Sequence, residues 1–278
     1  DRARARRLPA GVRLSDRIRI PARLEQKFLV SEATALALTQ AIAPYCHLDE
    51  NTAGPYTLRT LYFDTRRREF HEAKLRRDHD RVKLRARAYG DFAPGEPVTL
   101  ELKRKTGALV RKTRVTSEAD WVAEALGRDA GPELVDAASR ERRERLDRFA
   151  YVMVRKCCEP TAILRYRREA FVSHVDSYAR VTFDRDIMAY PTREFSLDFR
   201  EERALRLDGA SDAGWAGGGG MLSPVLVELK CERMLPVWMA ELVRTFHLSS
   251  TGFSKYSQAM DTFARRSFAR PAWSSTYA

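Results

Sequence analysis

Residues Arg81–Tyr89 read Arg-Val-Lys-Leu-Arg-Ala-Arg-Ala-Tyr. In an extended chain successive side chains point to opposite faces. Lys83, Arg85, Arg87 and Tyr89 therefore share one face, and Val82, Leu84, Ala86 and Ala88 share the other. The pattern repeats downstream. Val98–Lys105 sets Glu101, Lys103 and Lys105 opposite Leu100 and Leu102. Leu109–Thr116 places Lys112 and Arg114 together, and Thr106-Gly107-Ala108 between the two runs reads as a hairpin turn. Tyr166 and Arg168 share a face in a later strand. Glu228, Lys230 and Glu232 share one opposite Val225, Val227 and Leu229, and Glu25 and Lys27 open the series.

A single strand of this kind is an ordinary amphipathic strand with a solvated charged face. Here the pattern recurs in at least five strands, and long cations interleaved with a few glutamates occupy the polar side. The opposite faces are apolar enough to need covering, and the chain supplies helices. The expected fold is α+β: roughly eight strands in a mostly antiparallel barrel, with helices packed outside and the charged face turned inward to line a tunnel. A channel lined by Lys and Arg is unfavourable without a partner, because like charges repel strongly between low-dielectric walls. A polyanion resolves this. Guanidinium forks grip phosphate oxygens bidentately and lysines add point charges. The minority carboxylates suit Mg²⁺ or Mn²⁺, hard cations that bridge carboxylate and phosphate oxygens.

The remaining elements follow from caps, breakers and periodicity. Leu24–Val30 reads as a strand. Ser31 caps a helix over Glu32–Ala43, which Pro44 ends. Leu58–Asp64 is a strand and Arg67–Leu75 a short helix. Ser117 caps a helix to about Leu126, and a charged helix covers about Glu133–Val152. Strands resume at Thr161–Phe171, Ala179–Asp184 and Ile187–Tyr190. Glu201–Leu222 is polar and Gly-rich, a surface loop. Val225–Glu232 is a strand, and helices near Leu235–Phe246 and Ser254–Phe263 complete the fold. The expected organisation is a basic leader over 1–22, a catalytic domain over 23–265 and a tail over 266–278.

Composition limits the function classes. The chain has 278 residues, 50 Lys+Arg against 38 Asp+Glu, a net charge of +12 and a hydrophobic fraction of 44%. These are globular values with ample core. The longest apolar runs fall short of a membrane span, which leaves a membrane-protein partner as an open arrangement. Eight Arg and two Asp in residues 1–23 carry half of the positive excess. Cys46, Cys157, Cys158 and Cys231 lack metal-ligand spacing, which fits a reduced, cytoplasmic chain. Gly217–Gly220 precedes Met221 and Leu222 and is no phosphate-binding P-loop, and the histidines form no HExxH motif.

The ordered set of motifs resembles the VTC (vacuolar transporter chaperone) polyphosphate polymerase domain, of the triphosphate tunnel metalloenzymes that include the CYTH triphosphatases. It comprises Glu25-x-Lys27, Arg59-Thr-Leu-Tyr62-Phe63-Asp64, Lys83-x-Arg85-x-Arg87-x-Tyr89 and Glu101-x-Lys103-x-Lys105. It continues through Lys112-x-Arg114, Tyr166-x-Arg168, Arg180-Val-Thr-Phe-Asp184, Glu228-x-Lys230 and Ser254-Lys255-Tyr256. The resemblance implies a polymerase that moves the γ-phosphate of ATP onto polyphosphate. Its alternatives are a triphosphatase of the same tunnel and a polyphosphate-binding module without turnover. By position, Arg85, Arg87, Lys103, Arg168 and Glu228 carry catalysis. Lys27, Arg59, Lys83, Lys105, Lys112, Arg114, Tyr166, Arg180, Lys230 and Lys255 join those cations in holding phosphates. Glu228, then Glu101 and Glu25, are the metal ligands implied for Mn²⁺ or Mg²⁺.

Other residues have plainer expectations. Arg140–Arg148 invites nucleic-acid binding, but Glu141, Glu144 and Asp147 interleave as i,i+3 and i,i+4 partners on a solvated helix, so no specific nucleic acid is expected. Trp121, Trp238, Tyr62 and Phe63 read as packing, and Asp64 and Asp184 as turn caps or holders of tunnel cations.

Overall fold

In the computed structural model of the chain, residues 23–50, 54–107, 109–117, 120–128, 136–176, 178–207, 224–232 and 234–269 are described. The expected leader, Ala108 of the hairpin turn and residues 208–222 of the Gly-rich loop lie outside them.

Strand β1 (Arg23–Val30) leads into α1 (Glu32–Ile42), whose N-cap Ser31 accepts the Thr34 amide. β2 (Cys46–Leu48), β3 (Tyr56–Thr65), α2 (Glu69–Leu75), β4 (Asp80–Tyr89), β5 (Val98–Thr106) and β6 (Leu109–Ser117) follow. Then come α3 (Trp121–Ala125), α4 (Ala137–Arg155), β7 (Cys158–Ser173), β8 (Arg180–Pro191), β9 (Leu205–Arg206), β10 (Val225–Glu232), α5 (Val237–Thr245) and α6 (Lys255–Ala269). Among the described residues, eight strands form one hydrogen-bonded path in the order β1-β10-β8-β7-β3-β4-β5-β6, with every pairing antiparallel. β2 adds to β7 and β9 to β8. The sheet curls into a half-barrel, the α+β tunnel architecture.

The apolar face of each strand is convex and covered by helices. Phe28, Phe183, Val225, Val227 and Leu229 pack beneath α1 and α5. Leu61, Phe63, Leu84, Ala86, Leu100 and Ile163 pack beneath α3 and α4. Phe28, Phe63 and Phe183 are almost fully buried, each stabilising the fold by about 2–3 kcal/mol.

The half-barrel has two strand edges, and each is covered, as unpaired edges otherwise template aggregation. On β1, the Thr251 amide donates to the Lys27 carbonyl at 2.7 Å and Phe28 bridges Ser250. On β6, the Arg114 and Thr116 carbonyls accept from Arg145 and Arg142 of α4 at 3.2 and 3.4 Å.

Helix α6 departs from the expectation of helices outside. Tyr256, Ala259, Met260 and Phe263 pack with Leu58, Tyr62, Leu164, Tyr166 and Ile187 on the concave face. An apolar stripe on α6 thus closes part of the channel and leaves the rest to charged side chains.

Smaller corrections have local causes. Ser117 ends β6, and Asp120 is the cap of α3, accepting the Val122 and Ala123 amides. The two strands expected over 179–190 are one, β8, because Asp186 takes a left-handed φ of 51° at an irregularity in the β7–β8 register and the ladder resumes beyond it. That irregularity lets Asp184 and Ile187, an odd number of residues apart, both join concave-face clusters. The charged helix begins at Ala137, and α6 continues past position 265 to Ala269. Along α4, Arg143–Asp147, Arg145–Glu141 and Arg148–Glu144 are i,i+4 ion pairs. Trp238 stacks on Tyr45, and Phe63 meets Phe149 edge-on. The four cysteines are free thiols.

Candidate functional site

The concave face gathers its charges around three buried carboxylates. The first is Glu228 of β10. Lys230 reaches it at 2.7 Å, Lys27 at 3.2 Å and Lys255 at 3.5 Å. Lys27 also touches Glu25 at 3.1 Å. Burial alone would raise the Glu228 carboxyl, but Lys255, Lys230 and Lys27 more than offset it and hold its pKa well below the usual range. The same carboxylates raise Lys27 against the opposing effect of burial.

Asp184 of β8 is the second, with no exposed surface. Arg168 grips it with two bonds of 2.6 and 2.7 Å, and Lys255 Nζ donates at 2.5 Å. Arg168 and Lys255 also lie over the Tyr166 ring, at 5.4 and 4.6 Å. Burial would raise the Tyr166 phenol, yet Arg87, Arg168 and Lys255 lower it.

Glu101 of β5 is the third. Arg85 bonds it at 2.5 and 2.6 Å, with Lys112 at 3.3 Å, Arg114 at 3.8 Å and Arg87 at 3.9 Å. Burial opposes its ionisation, but Arg85, Arg87 and Lys112 prevail and its pKa is lowered. Arg85 also donates to the Tyr62 hydroxyl at 3.1 Å, and Tyr62 stacks on Tyr256. Arg87 is buried yet weakly held, with a 3.4 Å bond to Tyr166 and its Nε without a partner.

Lys83 and Lys103 are paired across β4 and β5, and neither has a carboxylate within salt-bridge distance among the described residues. Lys83 Nζ instead donates to Ser254 Oγ at 3.0 Å. Burial, then Lys27, Lys103 and Arg85, push its pKa down to about 7 against the weaker pull of Glu25. Lys103 is exposed in the groove, yet burial by the surrounding walls lowers its pKa; Glu25 is the largest charge acting on it and opposes the shift, while Lys27, Arg85 and Lys230 add to it.

Ten cations thus share this face with four carboxylates. Such an excess is a standing field for a polyanion. Of the residues expected to hold phosphate, Lys27, Lys83, Arg85, Arg87, Lys103, Lys112, Arg114, Tyr166, Arg168, Lys230 and Lys255 converge here. Lys105 shares the face near the end of β5. Arg180 pairs across the ladder with Lys230 and faces Asp49 at 3.8 Å, at the margin. Arg59 does not converge. It points to the convex side and donates to the Phe92 carbonyl at 3.0 Å, because Leu58, Thr60 and Tyr62 take the concave positions of β3.

The carboxylates fit a divalent cation unequally. No group of three or more His, Cys, Asp or Glu side chains with metal-binding geometry occurs among the described residues. Glu101 lies within 4 Å of Arg85, Arg87, Lys112 and Arg114, and its Oε1 is buried without a hydrogen-bond partner. Glu228 and Glu25 touch the same Lys27 ammonium, and two carboxylates with phosphate oxygens completing the shell are the arrangement Mg²⁺ commonly adopts.

Ser254 escaped the sequence reading, whereas Asp64 has the capping role expected of it. Ser254 is buried against Lys83, and only its neighbour in the Ser-Lys-Tyr motif was picked out as a phosphate holder. Asp64 caps α2, accepting the Thr65, Phe70 and His71 amides, and takes the Tyr256 hydroxyl at 2.7 Å, anchoring α6 in the channel.

A family profile described as the VTC domain matches residues 22–264. No curated protein matches the chain. Among solved structures, a candidate adenylate cyclase from Vibrio parahaemolyticus is similar at 12% identity and a TM-score of 0.41, over 87% of this chain and 98% of that one. A candidate adenylyl cyclase from Hippeastrum, described as having a dominant triphosphatase activity, is similar at 16% identity and a TM-score of 0.43, over 86% and 96%.

Proposed function

This chain belongs to the VTC domain family, and on that premise we propose that it is a metal-dependent polyphosphate polymerase that transfers the γ-phosphate of ATP to a growing polyphosphate chain. The coarser reading is a tunnel enzyme acting on phosphate chains. The observation that carries the proposal is the excess of positive charge on the concave face, above all Lys83 and Lys103 with no carboxylate within salt-bridge distance among the described residues.

Phosphoryl transfer needs in-line positioning and charge stabilisation more than a strong base. Arg85, Arg87, Lys103, Arg168 and Lys255 hold the phosphates and stabilise charge building on the transferred group. Arg85 and Arg168 are braced for this by Glu101 and Asp184, so their guanidinium planes need no reorganisation. Glu228 and Glu25 would hold a divalent cation, Mn²⁺ or Mg²⁺, together with phosphate oxygens. When bound, that ion supplies further neutralisation of the phosphate oxygens. The terminal oxygen of the chain attacks the γ-phosphorus, the bond to the β-phosphate oxygen breaks, and ADP leaves.

Residues 23–265 form the catalytic unit in this reading. No helix among the described residues is long and apolar enough to cross a membrane. ATP as substrate and four free thiols fit a cytoplasmic setting. The test is incubation with ATP and Mn²⁺ followed by gel sizing of the products. A ladder of polymer supports the polymerase. Orthophosphate with no polymer replaces it with a triphosphatase.

A further inference from the structure

A cavity of about 240 Å³ opens beside the cation channel, between α6, α2, the end of β1 and Leu207 beyond β9. Leu29, Leu207 and Phe253 give it apolar walls, and Lys74, Gln258 and Asp261 bring polar ends to it. Ser254 belongs to both spaces. It lines the cavity, and its Oγ accepts from the Lys83 ammonium at 3.0 Å. A group in the cavity is therefore separated by one side chain from a phosphate held at Lys83.

The chemistry of this lining differs from that of the channel. Its charged groups are one cation, Lys74, and one carboxylate, Asp261, so the excess of positive charge ends at Ser254. A further phosphate would face the Asp261 carboxylate, which disfavours it. A neutral group with a flat apolar body and hydrogen-bonding edges suits such a lining. Gln258 and Asp261 stand three residues apart on α6 and so share a face. The Gln258 side-chain amide makes no hydrogen bond among the described residues, and it can both donate and accept. Asp261 accepts only. His71 Nε2 lies 3.5 Å from its Oδ1, and it has no other side-chain partner among the described residues. Gly252, on the rim, has a φ outside the left-handed region, and a Cβ added to it would meet nothing within 4 Å. The backbone there does not require glycine, and the space above it is open to a bound group. The larger hollow of about 380 Å³ between β6 and α4 is different, because its Arg142 and Arg145 are already engaged by Glu124, Glu141 and strand carbonyls.

We propose that the cavity beside Ser254 is a nucleoside subsite, which receives the ribose and base of a nucleotide whose triphosphate lies in the channel. A ribose hydroxyl donates to Asp261, and the base edge meets the Gln258 amide. This rests on the ATP-dependent reading and adds to it the means by which donor and acceptor are told apart. An unsubstituted phosphate chain has no group to place in the cavity, whereas a nucleotide fills it and is thereby held with its α-phosphate nearest Lys83 and its γ-phosphate deeper in the channel.

The test is calorimetric binding of ATP and of inorganic tripolyphosphate in excess chelator, so that no turnover occurs. Tripolyphosphate reads the channel alone, and the ratio of the two affinities reads the cavity. Gly252→Leu puts a side chain into the open space, and Gln258→Ala removes the amide while keeping a good helix former in α6. The ratio of ATP to tripolyphosphate affinity is expected to fall about tenfold in Gly252→Leu and about fivefold in Gln258→Ala, with tripolyphosphate binding unchanged. A ratio unchanged in both variants, or equal losses for the two ligands, would overturn the nucleoside subsite while leaving the polymerase standing. A wild type that binds tripolyphosphate but not ATP would overturn the subsite together with ATP as the donor. Gln258→Ala carries the comparison by itself where Gly252→Leu does not fold.

Discussion

Lys83→Arg isolates a proton-linked step in anion binding. In the free protein Lys83 faces Lys27, Lys103 and Arg85, with Glu25 further off and Ser254 as its hydrogen-bond partner. Its pKa of about 7 means that it is half deprotonated at neutral pH. A bound phosphate chain supplies the missing negative charge and restores the pKa towards the ordinary lysine value. The sign follows directly. Binding takes up a proton wherever the pH lies between the free and bound pKa values, so affinity falls as pH rises through that window. With full restoration, the Lys83 contribution weakens by about fiftyfold from pH 7 to pH 9, roughly 2 kcal/mol. Arginine stays charged throughout, so the variant lacks this contribution to the slope. Tripolyphosphate titrates over the same range, but its contribution cancels in the difference between wild type and variant. Calorimetry at pH 8 in two buffers of different ionisation enthalpy should show close to one more proton taken up by the wild type. Parallel pH profiles for the two proteins, with equal proton uptake, would refute the reasoning.

Other substitutions probe the carboxylates. Glu101→Gln strips Arg85, Arg87, Lys112 and Arg114 of their shared counter-ion, and chemical denaturation should show a loss of about 3 kcal/mol that added tripolyphosphate partly restores. Asp184→Asn releases Arg168 and Lys255 together, and kcat should fall by about 100-fold with a smaller change in KM, while Asp184→Glu recovers part of the rate. Glu228→Gln should raise the Mn²⁺ concentration needed for half-maximal turnover, and an unchanged metal titration removes Glu228 from that role. Acid acts on the same groups. Glu101, Asp184 and Glu228 all have lowered pKa values, so the stability they contribute is present above the ordinary carboxylate range and disappears as pH falls through their folded values.

Much of this molecule was legible before any coordinates. The two-residue period of Arg81–Tyr89 is set by local backbone geometry, and it correctly separated Lys83, Arg85 and Arg87 from Leu84, Ala86 and Ala88. Ser31, the β5–β6 hairpin and the ion pairs of α4 are equally local and were readable for the same reason. The recurrence of one charged face then implied enclosure, because so many apolar reverse faces need cover. What a period cannot supply is the neighbour across space. Arg59 lies in a strand apolar on both sides, so only the packing against α3 and α4 shows which face is convex. The Lys255–Asp184 contact joins residues 71 apart, and its existence depends on α6 entering the channel instead of lying outside it. Register and curl likewise determined that Glu101 gathers four cations whereas Lys83 and Lys103 have no carboxylate within salt-bridge distance among the described residues. Alternation along a strand is a property of neighbouring peptide units, whereas charge balance depends on distances between strands that only the folded sheet defines.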